Sequence, residues 1–220
     1  VQSALTVSGF TLLNNTLTVS GATSLNSTLV VNDKTSIQSA LTVSGFTLLN
    51  NTLTVSGATS LNSTLIVNDK LSVQSALTVS GFTLLNNTLT VSGAASLNST
   101  LIVNDNLSVQ SALTVSGFTL LNNTLTVSGA TSLNSTLIVN DKLSVQSALT
   151  VSGFTLLNNT LTVSGATSLN STLVVNDKTS IQSALTVSGF TLLNNTLTVS
   201  GATSLNSTLV VNDKTSIQSA

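Results

Sequence analysis

The chain has 220 residues, and only five Lys and six Asp carry charge, which gives a formal net charge of −1 at pH 7. It contains no Cys, His, Met, Pro, Trp, Tyr, Arg or Glu. Without these residues most catalytic and metal-binding sites cannot be built. Five lysines are too few to form the positively charged surface that binds nucleic acid. We therefore predict no enzyme activity, no cofactor or metal, and no nucleic-acid partner. No apolar run approaches the ~18 residues of a membrane helix, so no membrane insertion is predicted.

A repeat of 36 residues organises the sequence. Six copies occupy residues 1–36, 37–72, 73–108, 109–144, 145–180 and 181–216, and a seventh begins at 217–220. We interpret 1–220 as one continuous repeat array and as a fragment of a longer chain. Each copy divides into three rungs of twelve residues, which in the first copy are 1–12, 13–24 and 25–36.

Each rung predicts a strand, a turn, a short strand and a second turn. Leu at the fifth rung position and Val at the seventh lie two residues apart, which is the spacing of a strand and not of a helix. After the strand, Gly21 and Ala22 predict a turn, residues 23–25 a short extended segment, and 26–27 the next turn. Phe10 and Leu12 are expected to add to the core of the first rung. The inward ladder that this pattern predicts is Leu5, Val7, Leu17, Val19, Leu29 and Val31.

The predicted fold class is all-β, an elongated repetitive β-helix or β-spiral fibre built of these rungs. One rung is too short to bury a core, so neighbouring rungs must cover one another. We favour three identical chains wound round one axis, a homotrimer. The alternative is a single-chain β-solenoid with 36-residue coils, in which Asp33 stacks on Asp69 and Phe10 on Phe46. Its weakness is that stacked aspartates would lie only ~4.8 Å apart.

The pattern L-N-x-T-L-x-V-x-G at 13–21 and at 193–201 resembles the repetitive shafts of viral and phage fibre proteins. It is also similar to the stalks of bacterial adhesins and of other extracellular β-filaments. The resemblance implies a homotrimeric, extracellular shaft or spacer that holds a receptor-binding or adhesive tip away from a virion or cell surface. Receptor contacts are then expected outside this segment. A self-assembling extracellular filament or matrix protein is the alternative function.

Thirteen matches to the N-glycosylation signal N-x-[ST] fall in predicted turns, so glycans are a possible partner. Turn formation explains the same asparagines without any glycan, because Asn suits turns. The acceptor residues are Asn14, Asn26, Asn50, Asn62, Asn86, Asn98, Asn106, Asn122, Asn134, Asn158, Asn170, Asn194 and Asn206.

Three further features have structural interpretations. Thr16 and Thr18 form a T-x-T triplet of the kind that ice-binding solenoids display, but other rungs break the array and we do not favour ice binding. Asp33 and its equivalents are expected in turns, since one Asp per repeat supplies too few oxygens for a cation. Phe10 and its equivalents are expected to be at least partly buried, and an exposed stripe for lateral bundling is the alternative.

Overall fold

The computed structural model describes residues 1–218, which are all-β and contain no helix. The chain has two compact units, Val1–Ser111 and Ala112–Ala220. Each unit contains eighteen strands of three residues. The seventh copy of the repeat occupies 217–220, and its last two residues, 219–220, lie outside the described residues.

The strands follow one another every six residues. Those of the first unit are β1 (Leu5–Val7), β2 (Thr11–Leu13), β3 (Leu17–Val19), β4 (Thr23–Leu25), β5 (Leu29–Val31), β6 (Thr35–Ile37), β7 (Leu41–Val43), β8 (Thr47–Leu49), β9 (Leu53–Val55), β10 (Thr59–Leu61), β11 (Leu65–Val67), β12 (Leu71–Val73), β13 (Leu77–Val79), β14 (Thr83–Leu85), β15 (Leu89–Val91), β16 (Ala95–Leu97), β17 (Leu101–Val103) and β18 (Leu107–Val109). Those of the second unit are β19 (Leu113–Val115), β20 (Thr119–Leu121), β21 (Leu125–Val127), β22 (Thr131–Leu133), β23 (Leu137–Val139), β24 (Leu143–Val145), β25 (Leu149–Val151), β26 (Thr155–Leu157), β27 (Leu161–Val163), β28 (Thr167–Leu169), β29 (Leu173–Val175), β30 (Thr179–Ile181), β31 (Leu185–Val187), β32 (Thr191–Leu193), β33 (Leu197–Val199), β34 (Thr203–Leu205), β35 (Leu209–Val211) and β36 (Thr215–Ile217).

Each strand pairs in parallel with the strand three places further along the chain. In the β7–β10 pair, Leu41 lies beside Thr59 and Val43 beside Leu61, a register of 18 residues. One coil therefore holds 18 residues and three strands, one in each of three parallel sheets. In the first unit the first sheet runs β1-β4-β7-β10-β13-β16, the second begins at β2 and the third at β3. The chain is a β-solenoid of about twelve coils, six within each unit, and the 36-residue repeat spans two coils.

The predicted all-β repetitive solenoid is confirmed, and the structure has the single-chain winding instead of the three-chain winding that we favoured. The coil length expected for that winding is wrong, because the coil holds 18 residues and not 36. A twelve-residue rung contains two strands, and three strands close a coil. Each strand points two side chains inward, so one chain supplies six core residues per coil. Association of whole chains into a homotrimer stays a prediction.

The core lies between the three sheets and is filled by the first and third residues of the strands, except in β36, where all three residues are exposed. In β15, for example, Leu89 and Val91 are fully buried and the residue between them is partly exposed. The deeply buried members of the predicted ladder, at most 2% exposed, are Val19, Leu29 and Val31. The half-buried members, which lie in the first coil where only one neighbouring coil covers them, are Leu5, Val7 and Leu17.

Phe10 and Leu12 do not contribute to the core as predicted. Phe10 is 60% exposed and Leu12 is 49% exposed. In a three-residue strand the first and third side chains share one face, and the second points to the other. In β2 the inward positions belong to Thr11 and Leu13, so Leu12 points outward.

Glycine allows successive coils to approach closely at two of the three corners. At these corners glycine and serine alternate from coil to coil, as Ser27, Gly45 and Ser63 show. A Cβ added to Gly45 would lie 2.5 Å from the carbonyl carbon of Ser27 in the preceding coil. No residue in 1–218 has a positive φ, so glycine is needed here for the close approach and not for an unusual backbone conformation.

Threonine occupies many of the inward positions of residues 1–218, and at twelve of them its buried hydroxyl lacks a hydrogen-bond partner. In β14, Thr83 is fully buried between coils that carry Leu65 and Leu101 at the paired positions. A buried hydroxyl without a hydrogen bond costs about 1–3 kcal/mol. Buried Oγ1 atoms without a hydrogen-bond partner occur at Thr23, Thr35, Thr47, Thr59, Thr83, Thr119, Thr131, Thr155, Thr167, Thr179, Thr191 and Thr203.

Thr83→Val is therefore expected to stabilise the first unit by about 1–2 kcal/mol. Valine keeps the β-branched shape and removes the unpaired hydroxyl. Thr90→Val, at the outward position of β15, is the matched control and should stay within about 0.5 kcal/mol. Urea unfolding followed by circular dichroism measures both changes. A destabilised Thr83→Val protein would mean that the hydroxyl has a partner in solution.

Candidate interaction surface

The outward face of the second sheet differs from the outward faces of the other two. The middle residue of every strand in the first and third sheets is Thr or Ser, as at Thr42 and Thr54. In the second sheet the same position is always Leu, Ile or Val. We call this row the aliphatic column. Its members are Leu12, Val30, Leu48, Ile66, Leu84 and Ile102 in the first unit and Leu120, Ile138, Leu156, Val174, Leu192 and Val210 in the second.

One edge of the aliphatic column is lined by phenylalanine. The residue just before each strand of the second sheet alternates between Phe and Thr, as at Phe46 and Thr64. We call this row the phenylalanine edge. Phe10 and Phe190 are 60% and 38% exposed, and the other four phenylalanines are half-buried. The phenylalanines thus show partial burial at four positions and an exposed side chain at two, and none is fully buried.

An asparagine ladder lines the other edge. The Nδ2 of Asn32 donates a hydrogen bond to Oδ1 of Asn14 at 2.8 Å, and Asn50 donates to Asn32 at 2.7 Å. Each amide in the ladder's interior thus both donates and accepts, which holds neighbouring corners in register. The ladder comprises Asn14, Asn32, Asn50, Asn68, Asn86 and Asn104 in the first unit and Asn122, Asn140, Asn158, Asn176, Asn194 and Asn212 in the second.

Asn68→Ala removes two ladder hydrogen bonds, one to Asn50 and one from Asn86, both 2.8 Å long. We expect a loss of about 1–2 kcal/mol. Asn62→Ala in the same coil is the control, because the Asn62 side chain accepts only a long 3.4 Å bond from Ser60. Thermal unfolding of the two variants should separate them, and equal melting temperatures would show that the ladder contributes nothing.

Asparagine and aspartate alternate in the row next to the ladder. Asp69 lies between Asn51 and Asn87 in the stack, and Asn87 Nδ2 donates to its Oδ1 at 3.4 Å. Its Oδ2 accepts a 2.7 Å bond from Thr52 Oγ1. The stacking of Asp33 directly on Asp69 that the 36-residue coil required is wrong, since two coils separate them by ~9.6 Å. The charge repulsion that counted against the single-chain winding is thereby reduced.

The thirteen N-glycosylation signals fall in different settings. Six of them, beginning with Asn14, belong to the asparagine ladder. Asn106 donates its Nδ2 to Oδ1 of Asp105 at 3.0 Å. The other six are exposed, outside the ladder, at the corner between the first and second sheets, namely Asn26, Asn62, Asn98, Asn134, Asn170 and Asn206.

When the chain is expressed in a secretory host, we therefore expect glycans on the six exposed corner asparagines, such as Asn62. We expect none on the six signals that belong to the asparagine ladder, such as Asn50. A glycan replaces one of the two hydrogens on the Nδ2 atom with which Asn50 donates to Asn32 at 2.7 Å, and its bulk crowds the neighbouring ladder side chains. Glycopeptide mass spectrometry after expression in eukaryotic cells measures the occupancy at each site. Equal occupancy of the two groups would contradict this preference.

The T-x-T triplet does not repeat in successive coils. Thr16 and Thr18 lie beside Lys34 and Ser36 of the next coil, and this alternation continues through the sequence. Thr16 Oγ1 donates to Oδ2 of Asp33 at 3.1 Å, so this hydroxyl is engaged at its corner. The threonine array is thus interrupted in every second coil.

The described part of the chain shows no concave site. No cavity and no group of three metal-ligating side chains is found among residues 1–218. No helix in this range is long and apolar enough to span a membrane. Comparison of the chain with protein-family models, curated proteins and solved structures finds no match. The features that distinguish one side of the molecule from another are the aliphatic column and its two edges.

Proposed function

We propose that this chain is a structural shaft, an extracellular spacer that holds a receptor-binding or adhesive tip away from the surface of a virion or cell. The observation that carries the proposal is the uniform stacking of coils by backbone hydrogen bonds. Leu65 N donates to Phe82 O at 2.9 Å, and Asn68 N donates to Leu49 O at 2.8 Å. The same pattern recurs from coil to coil within each unit.

Such stacking suits a spacer because length grows in equal steps. Each coil adds one strand spacing of ~4.8 Å to the stack and needs contacts only with its neighbours. The resemblance of residues 13–21 to viral fibre shafts supports the same role. It also supports the homotrimer and the viral or phage origin, which belong to the proposal.

Stretching single molecules held at both ends tests the shaft. A shaft should keep its folded extension under load, and removal of residues 37–72 should shorten that extension by about two strand spacings, ~9.6 Å. Coils that peel apart under the lowest loads, or an extension that does not change with the deletion, would argue against a spacer.

A self-assembling filament or matrix protein is the second candidate. The observation that favours it is the aliphatic column, which gives one side of each unit an apolar surface. Electron microscopy of the purified chain over a range of concentrations separates the two functions, because a matrix protein should form bundles without any other component. A shaft should remain as separate particles or small, closed oligomers.

A further inference from the structure

We infer that the outward face of the second sheet, in each unit, is a docking surface for a second copy of this chain, packed face to face with the solenoid axes of the two paired units antiparallel. The inference does not rest on the shaft function, and it is an alternative to the homotrimer, because a face covered by one partner in a two-fold pair cannot also form a three-fold contact. The face consists of the aliphatic column, the phenylalanine edge and the asparagine ladder with the Asp row beside it.

The first step is the contrast among the three faces. At the outward strand position, Leu48 lies in the same coil as Thr42 of the first sheet and Thr54 of the third. In the first and third sheets the outward strand position is Thr or Ser in every coil, so the fold does not need an aliphatic residue at such a position. Contiguous apolar rows on a surface mark interaction sites.

The second step is that this face is complementary to itself. Along the phenylalanine edge, large and small residues alternate, as at Phe46 and Thr64. In the row beside the asparagine ladder, Asp alternates with Asn, as at Asp69 and Asn51. In the aliphatic column, Leu alternates with the β-branched residues Val and Ile. In an antiparallel pair whose two-fold axis passes between two coils, Phe of one copy lies opposite Thr of the other and Asp lies opposite Asn. This position of the axis therefore fits side-chain sizes and separates like charges along both edges.

The third step fixes the orientation. A two-fold axis makes each copy use the same patch. With the solenoid axes antiparallel, the phenylalanine edges of the two copies meet and the Asp rows meet, together with Lys34 and its equivalents. With the axes parallel, the phenylalanine edge of one copy would instead lie against the charged corner of the other. The antiparallel pair buries apolar side chains together and leaves Lys within reach of Asp.

The available area is close to that of a specific interface. The five residue steps from Phe46 to Asn51 span ~16.5 Å across the face, and one coil rises ~4.8 Å, which gives ~79 Å² per coil. Six coils of one unit offer about 475 Å² per partner, or about 950 Å² in total. This is comparable to the roughly 1,000 Å² that a specific interface needs with good complementarity.

The test is sedimentation velocity of the full chain over a range of concentrations. Wild-type protein should shift from monomer toward dimer as concentration rises. Leu48→Lys combined with Leu120→Lys places one charge on this face in each unit and should weaken association more than about tenfold. Thr54→Lys combined with Thr126→Lys, at the same strand position and in the same coils on the third sheet, should associate like wild type.

A milder pair of substitutions keeps the test valid if the lysine variant fails to fold. Leu48→Thr with Leu120→Thr introduces the residue that the other two sheets carry at this position, and it should also weaken association while the circular dichroism spectrum stays unchanged. The inference would be overturned if the wild type is monomeric or if the two lysine variants associate equally. It would also be overturned if about 1 M NaCl abolishes wild-type association, since an apolar interface survives salt.

Discussion

Leu89→Asp is expected to prevent stable folding of the first unit, whereas Thr90→Asp should leave it folded. Leu89 is fully buried at the first position of β15, while Thr90 is the partly exposed middle residue. An unpaired charge in the core costs several kcal/mol, a large part of the 5–15 kcal/mol by which typical domains are stable. The Thr90 position faces water, where substitutions stay within about 0.5 kcal/mol. Urea unfolding at pH 7 followed by circular dichroism measures both.

The Leu89 and Thr90 pair tests the assignment of inward and outward residues more sharply than Leu17 and Thr18 in the first coil. Leu17 is only half-buried, so part of the solvation of a new carboxylate would survive there. Similar unfolding curves for Leu89→Asp and Thr90→Asp would show that the strand faces are assigned wrongly.

Gly81→Ala should destabilise the first unit by about 1–3 kcal/mol or more, because the added methyl group overlaps backbone atoms that have nowhere to move. Its Cβ would lie 2.5 Å from the carbonyl carbon of Ser63 and 2.6 Å from the amide nitrogen of Thr64. Gly9 is the natural control at the same corner, since a Cβ there meets nothing within 4 Å. Gly9→Ala should be neutral or stabilise by about 0.4–1 kcal/mol through the unfolded state.

Differential scanning calorimetry distinguishes these two glycine variants directly. Gly81→Ala and Gly9→Ala are identical in chemistry and differ only in whether a preceding coil lies beneath the corner. If both variants melt at the wild-type temperature, the coils in solution are further apart than the structure shows.

The strands and their inward Leu and Val residues could be predicted from the sequence because the alternation is local. A spacing of two between Leu53 and Val55 is decided by the backbone of that strand alone. The predicted short segment at 23–25 corresponds to β4, Thr23–Leu25. These features need no knowledge of how the coils stack.

The coil length could not be predicted because buried threonine conceals it. The strands repeat every six residues, but inward Leu at position 41 is followed by inward Thr47 and then by Leu53. Threonine looks like a solvent-facing residue in a sequence, so the apparent period becomes twelve. Twelve and eighteen both divide 36, and only the pairing of Leu41 with Thr59 decides between them.

The outward aliphatic column could not be predicted from the sequence because its exposed residues look like core residues. Leu12 follows Thr11 and precedes Leu13, and the expectation that Leu12 adds to the core is wrong because one strand cannot point neighbouring side chains to the same side. Three consecutive apolar residues in Leu65–Val67 were the signal that one of them must face outward.

At the corners glycine alternates with serine, and aspartate with asparagine, from coil to coil. This alternation determines which deletions and duplications in the gene leave the coil stacking intact. Recombination between near-identical repeats adds or removes whole segments of coding sequence. Loss of one coil, residues 37–54, would bring Asp33 directly against Asp69 at ~4.8 Å. Loss of two coils restores every glycine to a serine neighbour and every aspartate to an asparagine neighbour. Viable relatives of this chain should therefore differ in length by multiples of 36 residues, even though the solenoid itself closes every 18.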